Sequence, residues 1–565
     1  DRSLGNFRPI MLLDVLLKVV MRIHNSRMTQ DWRRLGALTD LNAGVQKLRG
    51  PASSIFPLRV AAAQAMRRGE EIAALFDDLA WAFDTPPRAV IELALARLGV
   101  PRYFIRMLRD LDNMALRDTI LSSGPASSTS GKYHRVLFGT AQGSVEGPSL
   151  WMAVADIVVD WARRHSTSPV RLDGGPHGSV DIAAATFVDD SGLVQAGENA
   201  ASALATLATA TGLMYYFLGL RRRAKKCVYA RLVWVRGRLE RLSRRRARGA
   251  VGLPIKEWTA DWSTGQPVII ETDATIKEVE HDEEFRHLGY TASLSGQEKS
   301  FRSQLTSDAR RIGGMIEKRP DLRRCAFSII KMVVIPKMTY PLAFTRLDDA
   351  EIEHIESAYG TPLRHSLKLP RTTTTPVLTG SRHYGGMSVP KLTDSVMQAR
   401  LSHIKRMRSG TRTERAVMLA DLWQSQIWYG GARPVELIDA EEVADFSGAT
   451  QGAPWTMRAI LQAARAGYNL DNCTPNPPPA LNDVTLRDTV VRSNKAGRAA
   501  VNAWRRQRGI LWLSQLYRSD GITVRWRYRQ DVKTARRAGG PDRPAPGPAP
   551  PSAWRGRGRR PGRPG

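Results

Sequence analysis

At 565 residues the chain can hold several units that each bury a core, and 42% hydrophobic residues exclude a mainly disordered protein. Lysine and arginine number 84 against 54 acids, a formal +30. That excess strains a compact fold by self-repulsion unless a polyanion shares the surface, so nucleic acid is the favoured partner. A membrane partner is not expected, since the longest apolar stretch, Ile10 to Ile23, is interrupted by Asp14, Lys18 and Arg22 and is too short to span a bilayer. Cys227, Cys325 and Cys473 lie far apart, which excludes a disulfide framework or a zinc finger with local cysteine pairs and points to a reducing, intracellular compartment. The sequence starts at Asp1 without Met or a signal-peptide pattern and reads as a piece of a longer product.

In chain order, residues 11–30 are predicted helical, with Leu12, Val15, Leu16, Val19 and Ile23 at helical spacing. Glu71 to Phe76 is an apolar run of strand length that ends in carboxylates. Asp84-Thr-Pro-Pro87 starts a helix that Gly99 and Pro101 close, and a second helix begins near Pro148 with Leu150, Val154, Ile157, Val158 and Trp161 on one side. Ile182–Val188 and Ser191–Val194 read as two short strands around a tight turn holding Asp189 and Asp190. Strand, helix, helix, hairpin is an α+β layout with a mixed or antiparallel sheet. From about Ser300 to Met407 the pattern is helical, with Pro336 and Pro341 as expected breaks, and 415–535 is a further globular region. From Arg536 onward Pro, Gly, Ala and Arg dominate, a composition that cannot bury a core and predicts a disordered tail.

Asp78 and the pair Asp189-Asp190 each follow an apolar strand-like run. Acids at the ends of neighbouring strands can converge, and three carboxylates together repel unless cations sit among them. Two Mg2+ ions roughly 3.5–4 Å apart would satisfy them, activating a hydroxyl while stabilising a leaving pyrophosphate. Other motifs fall away. Gly124 to Lys132 fails as a phosphate loop, because six residues separate Gly124 from Gly131 and Tyr133 stands where Ser or Thr is needed. His134, His177 and His287 lack partners at metal-ligand spacing and read as structural or surface residues. No acidic cluster after residue 410 reads as a nuclease site.

The words around the acids are more specific. Asp78-Leu-Ala-Trp-Ala-Phe-Asp84, Gly139-Thr-Ala-Gln-Gly-Ser-Val-Glu-Gly-Pro-Ser-Leu150 and Phe187-Val-Asp-Asp190 stand in that order. They resemble the first three palm motifs of reverse transcriptases from non-LTR (LINE-type) retrotransposons. Asn6-Phe-Arg-Pro-Ile10 is similar to a fingers motif of that family, and Asn42-Ala-Gly-Val-Gln-Lys47 to a degenerate stretch before the first catalytic Asp. Gly219-Leu220 through Lys226-Cys227 resembles the fourth palm motif, Phe285-Arg-His-Leu-Gly289 the primer grip, and Gly385-Gly386 a pattern that follows the thumb. The resemblance covers about residues 1–410.

It implies a right-hand polymerase fold: fingers and palm with an RRM-like antiparallel sheet over 1–298, and a helical thumb over 299–410. A region of unassigned role over 411–535 and a tail over 536–565 would follow. It implies an RNA-directed DNA polymerase that extends a primer 3′-hydroxyl with dNTPs. Asp78, Asp189 and Asp190 would be the catalytic, metal-binding acids, with two Mg2+ ions and Mn2+ as a substitute. Arg8, Phe83, Gln142, Gly143 and Lys226 would contact the nucleotide, Phe83 beneath its sugar. Leu288 and Gly289 would grip the primer. Template RNA, a DNA primer or target, and a nuclear site of action complete the expectation.

The chain departs from the family pattern at Trp81, at Asp77 where an apolar residue is expected, and at Arg223 in place of Asn. The basic run Arg221, Arg222, Arg223, Lys225 with Arg244, Arg245, Arg246 is expected to touch nucleic-acid phosphates, and the Arg-Gly tail suits sequence-tolerant RNA binding. The rival class is a non-catalytic RNA- or DNA-binding protein derived from a decayed retroelement.

Overall fold

The computed structural model describes residues 15–516 apart from 45, 47–48, 115–119, 122–123, 126–137, 141–143, 236–237, 248, 250–251, 262–267, 297, 382, 384–385, 445–451, 471–482, 484 and 490–494. Arg8, Gln142, Gly143, His134, Cys473, the Gly385 motif position and the 536–565 tail lie outside the described residues. The fold is mixed α+β with small, mainly antiparallel sheets, and the chain divides into two compact units, residues 1–421 and 422–565.

In the first unit, helix α1 (Val15–Leu35) confirms a helix where the apolar spacing predicted one. The face that packs is a different one, however. Met21, Met28 and Trp32 are buried, whereas Val15, Leu16, Val19 and Ile23 are exposed. Met28 and Trp32 join a cluster with Ile91, Leu95 and Leu98, and that packing sets the rotation of the helix. Helix α2 (Pro51–Arg68) opens on a proline whose missing N–H is no loss at a first turn. It closes on Gly69 in the left-handed conformation, φ 66°, which glycine adopts without Cβ strain.

Strand β1 (Ile72–Asp77) follows, and Ile72 through Leu75 are fully buried, as a strand covered on both faces requires. After a short strand β2 (Leu79–Ala80) come helices α3 (Arg88–Arg97) and α4 (Gly147–His165). The hairpin β3 (Ala184–Phe187) and β4 (Asp190–Ala196), helix α5 (Ala200–Phe217), and strands β5 (Arg221–Arg222), β6 (Val228–Leu232) and β7 (Glu278–Val279) complete this layer. The central sheet runs β7-β6-β1-β4-β3, with β1 antiparallel to both neighbours and only β7 parallel to its partner. Ala73 and Leu75 of β1, Leu193 of β4 and Tyr229 of β6 pack on Leu204, Leu207 and Ala208 of α5. On another side Leu58 of α2 lies over Gly192, where an added Cβ would fall 2.5 Å from Leu58 Cδ1. Glycine there lets the helix approach the sheet.

Two elements were not anticipated from sequence. Leu253–Asp261 pairs with Val268–Ile276 in a long antiparallel arm whose Val268, Ile269 and Ile270 are exposed. Also, Pro336 and Pro341 do not break their helix. Ala326–Ile329 passes through a π-turn, Ile330–Val334, into Ile335–Phe344. The altered hydrogen-bond register sits immediately before Pro336, which has no N–H to donate. This 19-residue stretch is, among the described residues, the one helix long and apolar enough to cross a membrane. Ile330, Val334, Met338 and Leu342 lie fully buried in a cluster with Leu305, Ile352, Ile355 and Val396, so it is a core helix of this unit. The partners in that cluster are α6 (Lys299–Lys318), α7 (Asp349–Ser366) and α8 (Leu392–Arg408).

The second unit contains the end of helix Arg412–Tyr429 and helices Trp455–Arg465 and Lys495–Arg508. Trp423, Ile427, Leu511 and Trp512 form a small core. The buried Arg505 guanidinium donates to the carbonyls of Ile427, Trp428 and Tyr429, satisfying orphan acceptors at that helix end.

Candidate active site

Asp78, Asp189 and Asp190 lie at one end of the central sheet, near enough for the charges of Asp189 and Asp78 to act on Asp190, although their carboxylate oxygens do not all come within 4.8 Å of one another; the strand register brings them there. Asp77 pairs with Ser191 across β1 and β4, so the next residue, Asp78, comes beside Asp190. Phe187 pairs with Asp190 across the β3–β4 hairpin, leaving Val188 and Asp189 as a two-residue loop. Val188 is held at φ 59°, unfavourable for a β-branched residue, which marks the turn as one fixed by its surroundings. Those surroundings are the Asn42 segment. Ala43 N–H donates to Thr186 O at 3.0 Å, Thr186 N–H donates to Leu41 O at 3.0 Å, and Gly44 packs where a Cβ would meet Val188 N at 3.0 Å.

The electrostatics follow from this crowding. Burial, then the charges of Asp189 and Asp78, push the Asp190 carboxyl up to about 6. Asp78 Oδ1 is buried and makes no hydrogen bond. The nearest cation to it is the Arg223 guanidinium at 3.7 Å. The Asp78 backbone is fixed on both sides, its N–H donating to Cys227 Sγ at 3.4 Å and its carbonyl accepting from Arg223 N–H at 2.8 Å.

Phe83 is half-buried, 5.6 Å from the Trp151 ring, and packs on the cluster that holds Ile91 and Leu150. Its carbonyl accepts from Thr140 N–H at 2.6 Å, and Gly139 N–H donates to Pro86 O at 2.8 Å. Gly139, at φ 89°, leaves no room for a side chain, since a Cβ would be 2.9 Å from Phe83 O. The start of the Gly139 motif is thereby joined to the Asp78 motif. Lys226 is exposed in the turn from Arg223 to Cys227. Trp81 is exposed at φ 46°.

Leu288 and Gly289 are the two loop residues of the hairpin Phe285–His287 and Tyr290–Ala292. Both have positive φ, 52° and 76°, as a tight hairpin turn demands. Phe285 and His287 pack on Phe76 with tilted rings at 4.6 and 5.0 Å, setting the hairpin beside β1 two residues before Asp78. Burial lowers the His287 imidazole to about 4, in keeping with a structural histidine. Arg59 of α2 clasps the hairpin, donating to Tyr290 and Phe344 and pairing with Glu298 at 2.9 Å. These groups border a cavity of about 50 Å³ lined by Leu58, Phe76, Val194 and His287.

The basic run needs a correction. Arg221, Lys225, Arg244 and Arg246 are exposed and Arg223 is half-exposed, but Arg222 and Arg245 are buried. Arg222 grips the buried Asp77 with Nε–Oδ1 2.8 Å and a second bond at 3.0 Å, and Tyr215 Oη donates to the same carboxylate at 3.1 Å. Arg245 pairs with the buried Glu278. A guanidinium desolvated against its own carboxylate is not offered to phosphate. Strand alternation separates Arg222 from its neighbours, a pattern obscured by an unbroken run of arginines. Sequence reading also missed Glu280, His281 and Asp282, whose ligand atoms lie within 4.8 Å of one another. A three-residue word with no spacing rule carries no signal for this.

No family model matches the sequence, and no curated protein matches it. Among solved structures the chain is similar to telomerase from Candida albicans in complex with a TWJ fragment of telomeric RNA. The identity is 11% and the TM-score 0.27, over 71% of this chain and 58% of that one. The chain thus spans less than two thirds of the telomerase structure, and the likeness is too distant to assign a fold.

Proposed function

We propose that this chain is an RNA-directed DNA polymerase, extending a primer 3′-hydroxyl with dNTPs in a target-primed retrotransposition reaction. The observation that carries this reading is the register that puts Asp78 beside Asp190, with Asp78 Oδ1 buried and lacking any hydrogen bond. A carboxylate oxygen withdrawn from water without a donor is costly unless a cation completes its shell. The unbonded Asp78 Oδ1 supports divalent metal ions here, with the three carboxylates drawing together around them. Asp78 and Asp189 would hold them, with Asp190 adjacent, and Mg2+ suits carboxylates that share it with substrate phosphates. Such ions, when bound, neutralise charge on the triphosphate and activate the attacking hydroxyl.

The chain's own residues do the positioning. The Asn42 segment holds the Val188 turn that carries Asp189, and the Gly139–Thr140 backbone would hold Phe83 to face a sugar. Lys226 stands beside Cys227, which contacts Asp78, and can reach a leaving phosphate. Leu288 and Gly289 form a turn suited to a primer end, and exposed Arg221, Lys225 and Arg244 suit template phosphates. In domain terms, 1–298 would be fingers and palm and 299–410 the thumb. A primer made at a chromosomal nick would put the work in the nucleus.

The experiment is primer extension on an RNA template by the purified chain with dNTPs and Mg2+. Metal-dependent incorporation that disappears in Asp189→Ala supports the proposal. A rival reading, a non-catalytic nucleic-acid-binding protein, is favoured by the Arg223–Asp78 pair, which gives the carboxylate a cation without any metal. Tight RNA binding with no incorporation would decide for it.

A further inference from the structure

The Arg223–Asp78 pair has a geometry that differs from the other arginine–aspartate pair one residue away. Arg222 and Asp77 are buried, doubly bonded and supported by Tyr215. Arg223 and Asp78 touch through one nitrogen at 3.7 Å, with side chains 31% and 39% exposed. The ladder imposes this position. Leu79 pairs with Arg222 and Ala80 with Arg221, and the Arg223 N–H to Asp78 carbonyl bond continues the register, so Arg223 stands opposite Asp78. Its own carbonyl is tied down by Lys226 N–H at 2.8 Å and Cys227 N–H at 3.2 Å. The backbone is therefore held while the guanidinium reaches water and, among the described residues, has Asp78 as its one ion-pair partner.

We propose that Arg223 is a built-in competitor for the metal. Its guanidinium balances Asp78 in the free protein and leaves when a divalent ion arrives, becoming a cation available to the triphosphate of the incoming nucleotide. The pairing is too long for a hydrogen bond and leaves the buried Oδ1 without one, so it yields to an ion that coordinates this oxygen directly. An opposite charge this close nonetheless lowers the affinity of Asp78 for any second cation. The inference rests on the reading of Asp78 as a metal ligand.

The test uses Tb3+ as the probe, sensitised by tryptophan emission, with Trp81 exposed three residues from Asp78, and Mg2+ as the competitor, in the full chain without nucleotide. Arg223→Gln is expected to bind Tb3+ and Mg2+ roughly tenfold more tightly than the parent, and Arg223→Lys to bind like the parent because it keeps the charge. In primer extension, Arg223→Gln should then raise the dNTP KM while lowering the Mg2+ requirement. Unchanged or weaker ion binding in Arg223→Gln overturns the proposal, as does tightening by Arg223→Lys equal to that by Arg223→Gln. Asp78→Asn separates the two levels. Ion binding in the parent that survives Asp78→Asn overturns the metal-site reading itself. Binding that Asp78→Asn abolishes and Arg223→Gln leaves unchanged overturns this inference alone.

Discussion

Asp77 and Arg222 form a doubly hydrogen-bonded ion pair, 2.8 and 3.0 Å, in the wall between β1 and α5, while the very next residue on the chain faces the carboxylate cluster. Tyr215 closes the pair from the helix side, its hydroxyl driven well above the ordinary phenol range by burial and by Asp77. Losing one member strands a buried charge. Asp77→Ala should destabilise the protein by about 3–5 kcal/mol, whereas the double change Asp77→Leu/Arg222→Met should recover most of that loss. Chemical denaturation of the three variants checks this, and additive losses would contradict it.

For the acids at the sheet end the expectation is different. Asp78→Ala and Asp189→Ala should each reduce dNTP incorporation by at least about 10²-fold with little change in melting temperature or RNA affinity. Asp190→Asn should do less harm. Parent-like extension by Asp189→Ala would end the polymerase reading.

Phe83 leans on Trp151 yet is only half-buried. If its exposed edge faces the nucleotide sugar, Phe83→Val opens room for a 2′-hydroxyl that otherwise loses its water unrepaid, a penalty of about 1–3 kcal/mol. The variant should use rNTPs at least tenfold better while keeping most dNTP activity. A parallel fall of both activities with the melting temperature would show instead that the ring only packs.

Salt dependence should divide the arginines. Arg221→Ala and Lys225→Ala should each flatten the slope of log affinity for single-stranded RNA against log salt, by roughly 0.7 for each phosphate no longer neutralised. Arg245→Ala should instead cost stability, since it strands Glu278. Equal slopes across all three would show that none of these side chains meets phosphate.

His403 makes stability depend on pH. It is buried between Phe56 and Phe344 with Arg406 on Nδ1, and burial, then Arg406, holds the imidazole down to about 3. The folded state thus binds the proton far less readily than the unfolded chain, whose histidine has an ordinary value near ~6.5. Its contribution is full above that value and shrinks as pH falls toward 3, by about 2 kcal/mol at pH ~5. His403→Gln should flatten the melting-temperature profile between pH 7 and 5, measured by calorimetry. An unchanged profile would place the titration elsewhere.

Much of this was legible in the sequence because it is local. The apolar run before Asp78, the hairpin pattern around Asp189 and Asp190, and the Pro-Pro and Gly99 punctuation each report backbone preferences within a few residues, and the elements lie where they were expected. Pro336 misled because a π-turn immediately before it absorbs the missing donor, a rearrangement that depends on neighbours and not on composition, while Pro341 is carried inside the helix Ile335–Phe344.

The sequence by itself determined the strands that carry the acids, the turn residues between them and the positive charge that calls for a polyanion. Only the tertiary structure decided which like residues serve which purpose. Adjacent positions on a strand face opposite ways, so Asp77 and Arg222 are sealed together in the core, whereas Asp78 and Arg223 meet at its wet edge. No reading along the chain separates Arg222 from Arg223, because desolvation is a property of what packs over a side chain, and the carboxylate that seals Arg222 comes from Asp77 on β1, 145 residues away in sequence.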